Sequence, residues 1–132
     1  MTDKIGIDAS ELNTLAADLS KAGMKANAAA AGVIKKGALN IKNGAQELAP
    51  KGPSLPYYSR TITFDLTVRG TTITAEIGPD KDLPQGPLGN ILEFGTSRAA
   101  PQPHLLPALQ KESPAVERFL GVEVSKTLKE AL

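Results

Sequence analysis

The sequence predicts an α+β fold, and three observations carry that prediction. A long segment before Pro50 repeats apolar residues at three- and four-residue steps. A central segment alternates apolar and polar residues strictly around Gly70. A second helical pattern closes the chain after Pro103. At 132 residues the chain is read as one domain, 1–132.

The first helical zone spans 8–49. Asp8 caps it with its side-chain oxygen, and Glu11 reaches back three residues later in a capping-box arrangement. Leu12, Leu15, Leu19, Ala22, Ala26, Ala30, Val33, Ile41 and Leu48 form one apolar stripe. Gly23 is a candidate break, because glycine inside a helix costs about 1 kcal/mol relative to alanine. Pro50 disfavours helical geometry at Ala49 and ends the zone.

The central zone, 61–78, reads as an antiparallel hairpin. Ile62, Phe64, Leu66 and Val68 alternate with threonine and aspartate, Arg69-Gly70-Thr71 turns the chain, and Ile73, Ala75 and Ile77 resume the alternation. The register puts the isoleucines, Phe64, Leu66 and Val68 on one face, against the N-terminal helix. Two strands alone are marginal in water, so a third short strand is expected near 90–94. In that strand Ile91 and Glu93 share one face, and Leu92 and Phe94 the other. The last zone, 103–131, is helical. Ser113-Pro114 reads as a cap and restart within it, and Val116, Phe119, Leu120, Val124 and Leu128 as its apolar stripe.

Two connections, 51–59 and 78–89, are rich in proline and glycine and show no periodicity. In the second, six of twelve positions are proline or glycine, so it is expected to be mobile in an isolated subunit and ordered in an assembly.

Composition narrows the function. With 15 basic against 14 acidic residues, the chain lacks the strongly basic footprint of phosphate-neutralising proteins. The absence of cysteine rules out disulfides and thiolate metal sites. No apolar run approaches the roughly 18 residues of a membrane span, and the first residues lack a signal-peptide core, so a protein made in the cytoplasm is expected. Apolar residues are abundant, but 18 are alanine and only five side chains are aromatic, which leaves a thin core for this length. A core completed by neighbouring subunits is one reading, alanine used for helix propensity the other.

No catalytic constellation emerges. His104 is the single histidine and lies in a proline-flanked helix entry, a packing or surface position rather than a catalytic one. There is no nucleophile elbow, and Gly86-Pro87-Leu88-Gly89 has neither the spacing nor the lysine of a phosphate loop. Asp80 and Asp82 read as a solvated turn. Neither catalytic, cofactor nor metal residues are expected. Glu93 sits in an apolar run and must reach solvent or a donor. Arg60, Arg98 and the amides of Gly95 and Thr96 are the donors within the subunit, and a neighbouring protomer is the alternative.

The stretch from Asn90 to Leu109, NILEFGTSRAAPQPHLLPAL, is the most specific in the chain. Glu93-Phe94-Gly95-Thr96 followed by Gln102 through Leu109, with Ala49-Pro50 and a strand pair upstream, resembles the small tail-completion or head–tail joining proteins of long-tailed double-stranded DNA phages. The chain departs from that pattern at His104, where the family commonly has phenylalanine, at Leu106, where it has arginine, and at Leu88-Gly89, in place of tyrosine-alanine. The resemblance implies a non-enzymatic component of the virion, made in the host cytoplasm and placed at the head–tail junction or upper tail. It would form a hexameric ring around the DNA channel, between head-connector and tail-tube proteins. Leu83, Gln85, Leu88, Asn90, Glu93, Arg98, Gln102 and His104 are the candidate interface residues. The alternative is a small nucleic-acid-binding regulator using Lys21, Lys25, Lys35, Lys36 and Lys42.

Overall fold

The computed structural model describes residues 9–131, with the side chains of 9–16, 18, 19 and 131 outside that description. The expected cap at Asp8, the Glu11 side chain that answers it, and the first three leucines of the stripe therefore lie outside the described residues. The fold is α+β. Helix α1 (Ala9–Leu48) is followed by a 3-10 turn at Tyr58–Thr61, strands β1 (Ile62–Arg69) and β2 (Thr72–Pro79), and a second 3-10 turn at Gly86–Leu88. The short helix α2 (Gly89–Phe94) and helix α3 (Leu105–Ala131) complete the chain.

Helix α1 is continuous through Gly23, where a Cβ would meet nothing within 4 Å. Its cost there is one of propensity, and the tertiary contacts on either side outweigh it. At the other end Lys51 Nζ donates to the carbonyls of Gln46 (3.1 Å) and Glu47 (2.8 Å), satisfying acceptors that a helix C-terminus leaves open. The buried stripe of α1 is Ala22, Ala38, Ile41 and Ala45, continued by Ala49 just past its end, while Leu48 is exposed. Small residues face inward because α3 lies close. A Cβ on Gly37 would collide with Val116, and one on Gly44 would come within 3.5 Å of the Ala108 Cβ. These pairings make α1 and α3 antiparallel.

Strands β1 and β2 pair antiparallel, with Phe64 opposite Ile77, Leu66 opposite Ala75 and Val68 opposite Ile73. Thr63 and Thr67 point to solvent, so the face is the one the alternation predicts. Burial fades along it, from fully buried Ile62 through half-buried Phe64 and Leu66 to exposed Val68. Helix α1 covers this face, and it also ties the hairpin at both ends. Gln46 Nε2 donates to the Ile62 carbonyl at 3.1 Å and Asn27 Nδ2 to the Gly70 carbonyl at 3.0 Å.

Two expectations are corrected. Residues 90–94 belong to α2 rather than to a third strand, so the sheet has two strands among the described residues. An apolar run of five residues cannot be assigned to helix or strand from periodicity alone. Nor does α3 restart at Ser113-Pro114. The helix runs through Pro114, and the Ser113 hydroxyl donates back to the Leu109 carbonyl at 2.8 Å. The core joins Ile41, Ala45, Ala49, Tyr58, Ile62 and Ala108, with Leu55, Ile77, Leu92 and Leu105 packed on it.

Candidate functional site

The most specific stretch of the sequence folds into a clasp that holds the start of α3. The first amides of a helix have no partner inside it. Here the donors at His104 (3.1 Å) and Leu105 (2.8 Å) reach Glu93 Oε1, and Leu106 N lies 3.4 Å from Glu93 Oε2. Pro107, in the same turn, has no N–H to satisfy. The carboxylate also faces the positive end of the helix dipole. Glu93 is 6% exposed and so finds its donors inside the subunit. They are the α3 amides, not Arg60, Arg98 or the amides of Gly95 and Thr96. The helical geometry of α2 turns Glu93 inward while Ile91 is 48% exposed, and leaves Phe94 73% exposed while Leu92 is half-buried. Strand alternation cannot produce these divisions, because it would pair Ile91 with Glu93 and Leu92 with Phe94.

The loop between the helices is shaped by two residues. Gly95 has φ +74° and ψ −178°, and a Cβ there would lie 2.8 Å from the Ala99 carbonyl oxygen and 2.7 Å from Pro101 N. Only glycine fits. Thr96 Oγ1 accepts from the amides of Arg98 (3.2 Å) and Ala99 (3.1 Å), and Thr96 N donates to the Ala99 carbonyl (2.8 Å), closing the turn. Gln102 N then donates to the Leu92 carbonyl at 2.7 Å, bringing the chain back onto α2.

His104 is fully buried. Its Nδ1 is 2.9 Å from the Gln102 carbonyl oxygen and 3.3 Å from Glu93 Oε1, both acceptors, so Nδ1 carries the proton. Nε2 is left to accept from the Tyr58 hydroxyl at 2.7 Å, and the two rings meet edge to face at 82°. Burial first, and then the Glu93 charge, push the Tyr58 hydroxyl up to about 12. Tyr58 is the residue that sequence reasoning missed. Its signal was only that it is one of five aromatics, placed in a loop without periodicity. The side-chain polar atoms of this Tyr–His–Glu chain all have partners within the subunit, Tyr58 and His104 are fully buried, and Glu93 reaches the wall of the groove beside the clasp.

The remaining candidate residues divide by exposure. His104 lies fully inside the subunit, and Glu93, 6% exposed, lines the groove beside the clasp with its oxygens engaged by the helix amides. Gln85 is a strut, not a free surface group. It adopts φ +71°, its Oε1 accepts from Tyr57 N (2.8 Å), and its Nε2 donates to the Ser54 carbonyl (2.9 Å), joining the two proline-rich connections. Gly86 beside it is buried where a Cβ would strike the Asp80 carbonyl. The 78–89 connection is thus a series of hydrogen-bonded turns, including Leu83 N to the Asp80 carbonyl (3.1 Å) and Asp82 N to Asp80 Oδ1 (2.9 Å). Leu88 is half-buried, and Leu83, Asn90, Arg98 and Gln102 are exposed.

Beside the clasp lies a groove of about 400 Å³, lined on its open side by Asn90, Phe94, Leu106 and Leu109. Phe94, Leu106 and Leu109 are 73%, 51% and 43% exposed, a concentration of large apolar side chains at one place. Among the described residues no group of three or more His, Cys, Asp or Glu is placed to hold a metal ion, and no helix is long and apolar enough to cross a membrane. Comparison with protein-family models, with curated proteins and with solved structures finds no match, so the clasp and groove are read on their own geometry.

Proposed function

We propose that this chain is a structural subunit of a phage virion, without catalytic activity, that completes the tail or joins it to the head as part of a ring around the DNA channel. The exposed apolar surface around Phe94, Leu106 and Leu109 is the observation that carries the reading. Among the described residues only Tyr58 and Ile62 of the large apolar side chains are completely buried, so much of the apolar material is left for contact with other subunits. The resemblance of residues 93–96 and 102–109 to tail-completion proteins supplies the kind of assembly. Neighbouring copies, the head connector and the tail tube are the partners it implies, and DNA passes through the ring without being read. Purified particles of the parent phage test the reading. Immunolabelled protein should lie on the head–tail axis, and its absence from particles would sink the proposal.

A second reading rests on the outer side of α1. Lys21, Lys25, Lys35 and Lys36 are exposed and Lys42 is half-buried. At 100° per residue these five fall within roughly 120° of one another. Such a stripe suits a nucleic-acid backbone, and a salt-dependent gel shift with duplex DNA is its test.

A further inference from the structure

The hairpin and α3 both lie on α1 but do not close on each other. Between them the groove beside the clasp continues into a second cavity of about 310 Å³. The two share Ile41, Ala75, Ile77 and Leu109, and the second adds Ile34, Ile73 and Val116. Strand β2 contributes to both cavities and β1 to neither, so the groove runs along the β2 side of the hairpin, where β2 has no strand partner among the described residues. Half of the N–H and C=O groups of an edge strand point away from its neighbour, and they seek another chain. Along α3 the groove runs from Leu105 to Val116, roughly 17 Å at 1.5 Å per residue. A strand of about five residues has that length.

We propose that this groove receives residues 2–7 of a second copy of the chain as an added strand beside β2. The sequence Lys4-Ile5-Gly6-Ile7-Asp8 alternates apolar with small or charged residues, so Ile5 and Ile7 share one face of a strand. A chain cannot fill its own groove in this way. Ala9, where α1 begins, is separated from Ile34 at the groove by roughly 38 Å of helix. Ile5, four residues before Ala9, reaches back at most about 14 Å. The antiparallel register of α1 and α3 brings the end of α3 alongside Ala22, so α1 continues N-terminally beyond α3. The inference rests on the self-association in the proposed function and gives that association a donor and an acceptor.

The test uses a chain lacking residues 2–7 and a fluorescein-labelled peptide of residues 1–8. Saturable binding in fluorescence anisotropy is expected. It should weaken by at least about tenfold when Ile5 and Ile7 of the peptide are both replaced by aspartate, and equally when the protein carries Leu109→Glu. Leu109 is already 43% exposed, so the folded subunit tolerates that change. Ala75→Arg blocks the groove from the strand side and serves as the second variant, with circular dichroism confirming that each is folded. Absence of saturable binding to the folded truncated chain would overturn the inference. So would association that survives loss of residues 2–7 yet is abolished by Leu109→Glu, since another segment would then fill the groove. The two readings fail separately. Binding of the peptide with no protein in particles defeats only the virion assignment. Normal incorporation of the truncated chain into particles defeats only the strand exchange.

Discussion

Replacing Glu93 by glutamine keeps the shape of the side chain and removes its charge, which isolates the carboxylate's role at the start of α3. The wild-type oxygens face amides at 2.8, 3.1 and 3.4 Å. Glutamine offers one acceptor oxygen and turns an NH2 group toward the remaining donors. One amide in a buried site then lacks an acceptor, at about 1–3 kcal/mol. The surviving bond loses its charge assistance, about 1 kcal/mol more, and the favourable term with the helix dipole, about 0.3–1 kcal/mol, is lost. The expected destabilisation is about 2–5 kcal/mol, a large share of the roughly 5–15 kcal/mol typical of a domain. Urea denaturation followed by circular dichroism should show the midpoint falling by about 1–2.5 M with an unchanged slope near 2 kcal/mol per M. Glu93→Ala should cost at least as much, because it removes both acceptors and leaves a void. A Glu93→Gln variant within about 0.5 kcal/mol of wild type would refute the account, since that is the range of inconsequential surface changes.

Tyr58→Phe should destabilise by about 1–3 kcal/mol in the same assay, since it leaves buried His104 Nε2 without its donor. The hydroxyl's displacement to about 12 also fixes the sign of an alkaline effect. Below about pH 10 the hydroxyl is neutral in both states, and between about 10 and 12 only the unfolded chain releases its proton. Stability should therefore fall with rising pH in that window, and the Phe variant should lose that part of the dependence in thermal melts. Gly95→Ala should lower the melting temperature sharply, because a methyl group there meets Ala99 and Pro101 and the φ of +74° is unfavourable for it. Gly23→Ala should raise stability by about 1 kcal/mol, the propensity difference at an open helical position, as read by thermal denaturation. Phe94→Ser should leave unfolding nearly unchanged while reducing self-association or incorporation into particles, measured by sedimentation and by particle composition.

Local patterning determined the elements whose periodicity is long. The alternation from Ile62 to Ile77 specified both the hairpin and its register, because a slip of one residue would have put Thr63 and Thr67 on α1 and Phe64 in water. The three- and four-residue spacing before Pro50 specified α1. What patterning ranked wrongly was the weight of its members, since Ala38, Ala45 and Ala49 are buried and Leu48 is not. The close approach of α3 at Gly37 and Gly44 selects small residues there, and that approach is a property of two helices together.

Short segments were decided by tertiary structure. Residues 90–94 are as compatible with a strand as with a helical turn until Glu93 must meet the amides of His104 and Leu105, which the sequence places eleven and twelve positions away. Helical geometry turns Glu93 toward them and Phe94 away, so one local choice creates both the clasp and the exposed apolar surface. The same holds at Pro114, where packing along α1 keeps α3 continuous through a residue that, taken locally, would start a new helix. A carboxylate's partner, and the face a six-residue helix exposes, depend on groups distant in the chain, and no local periodicity encodes that distance.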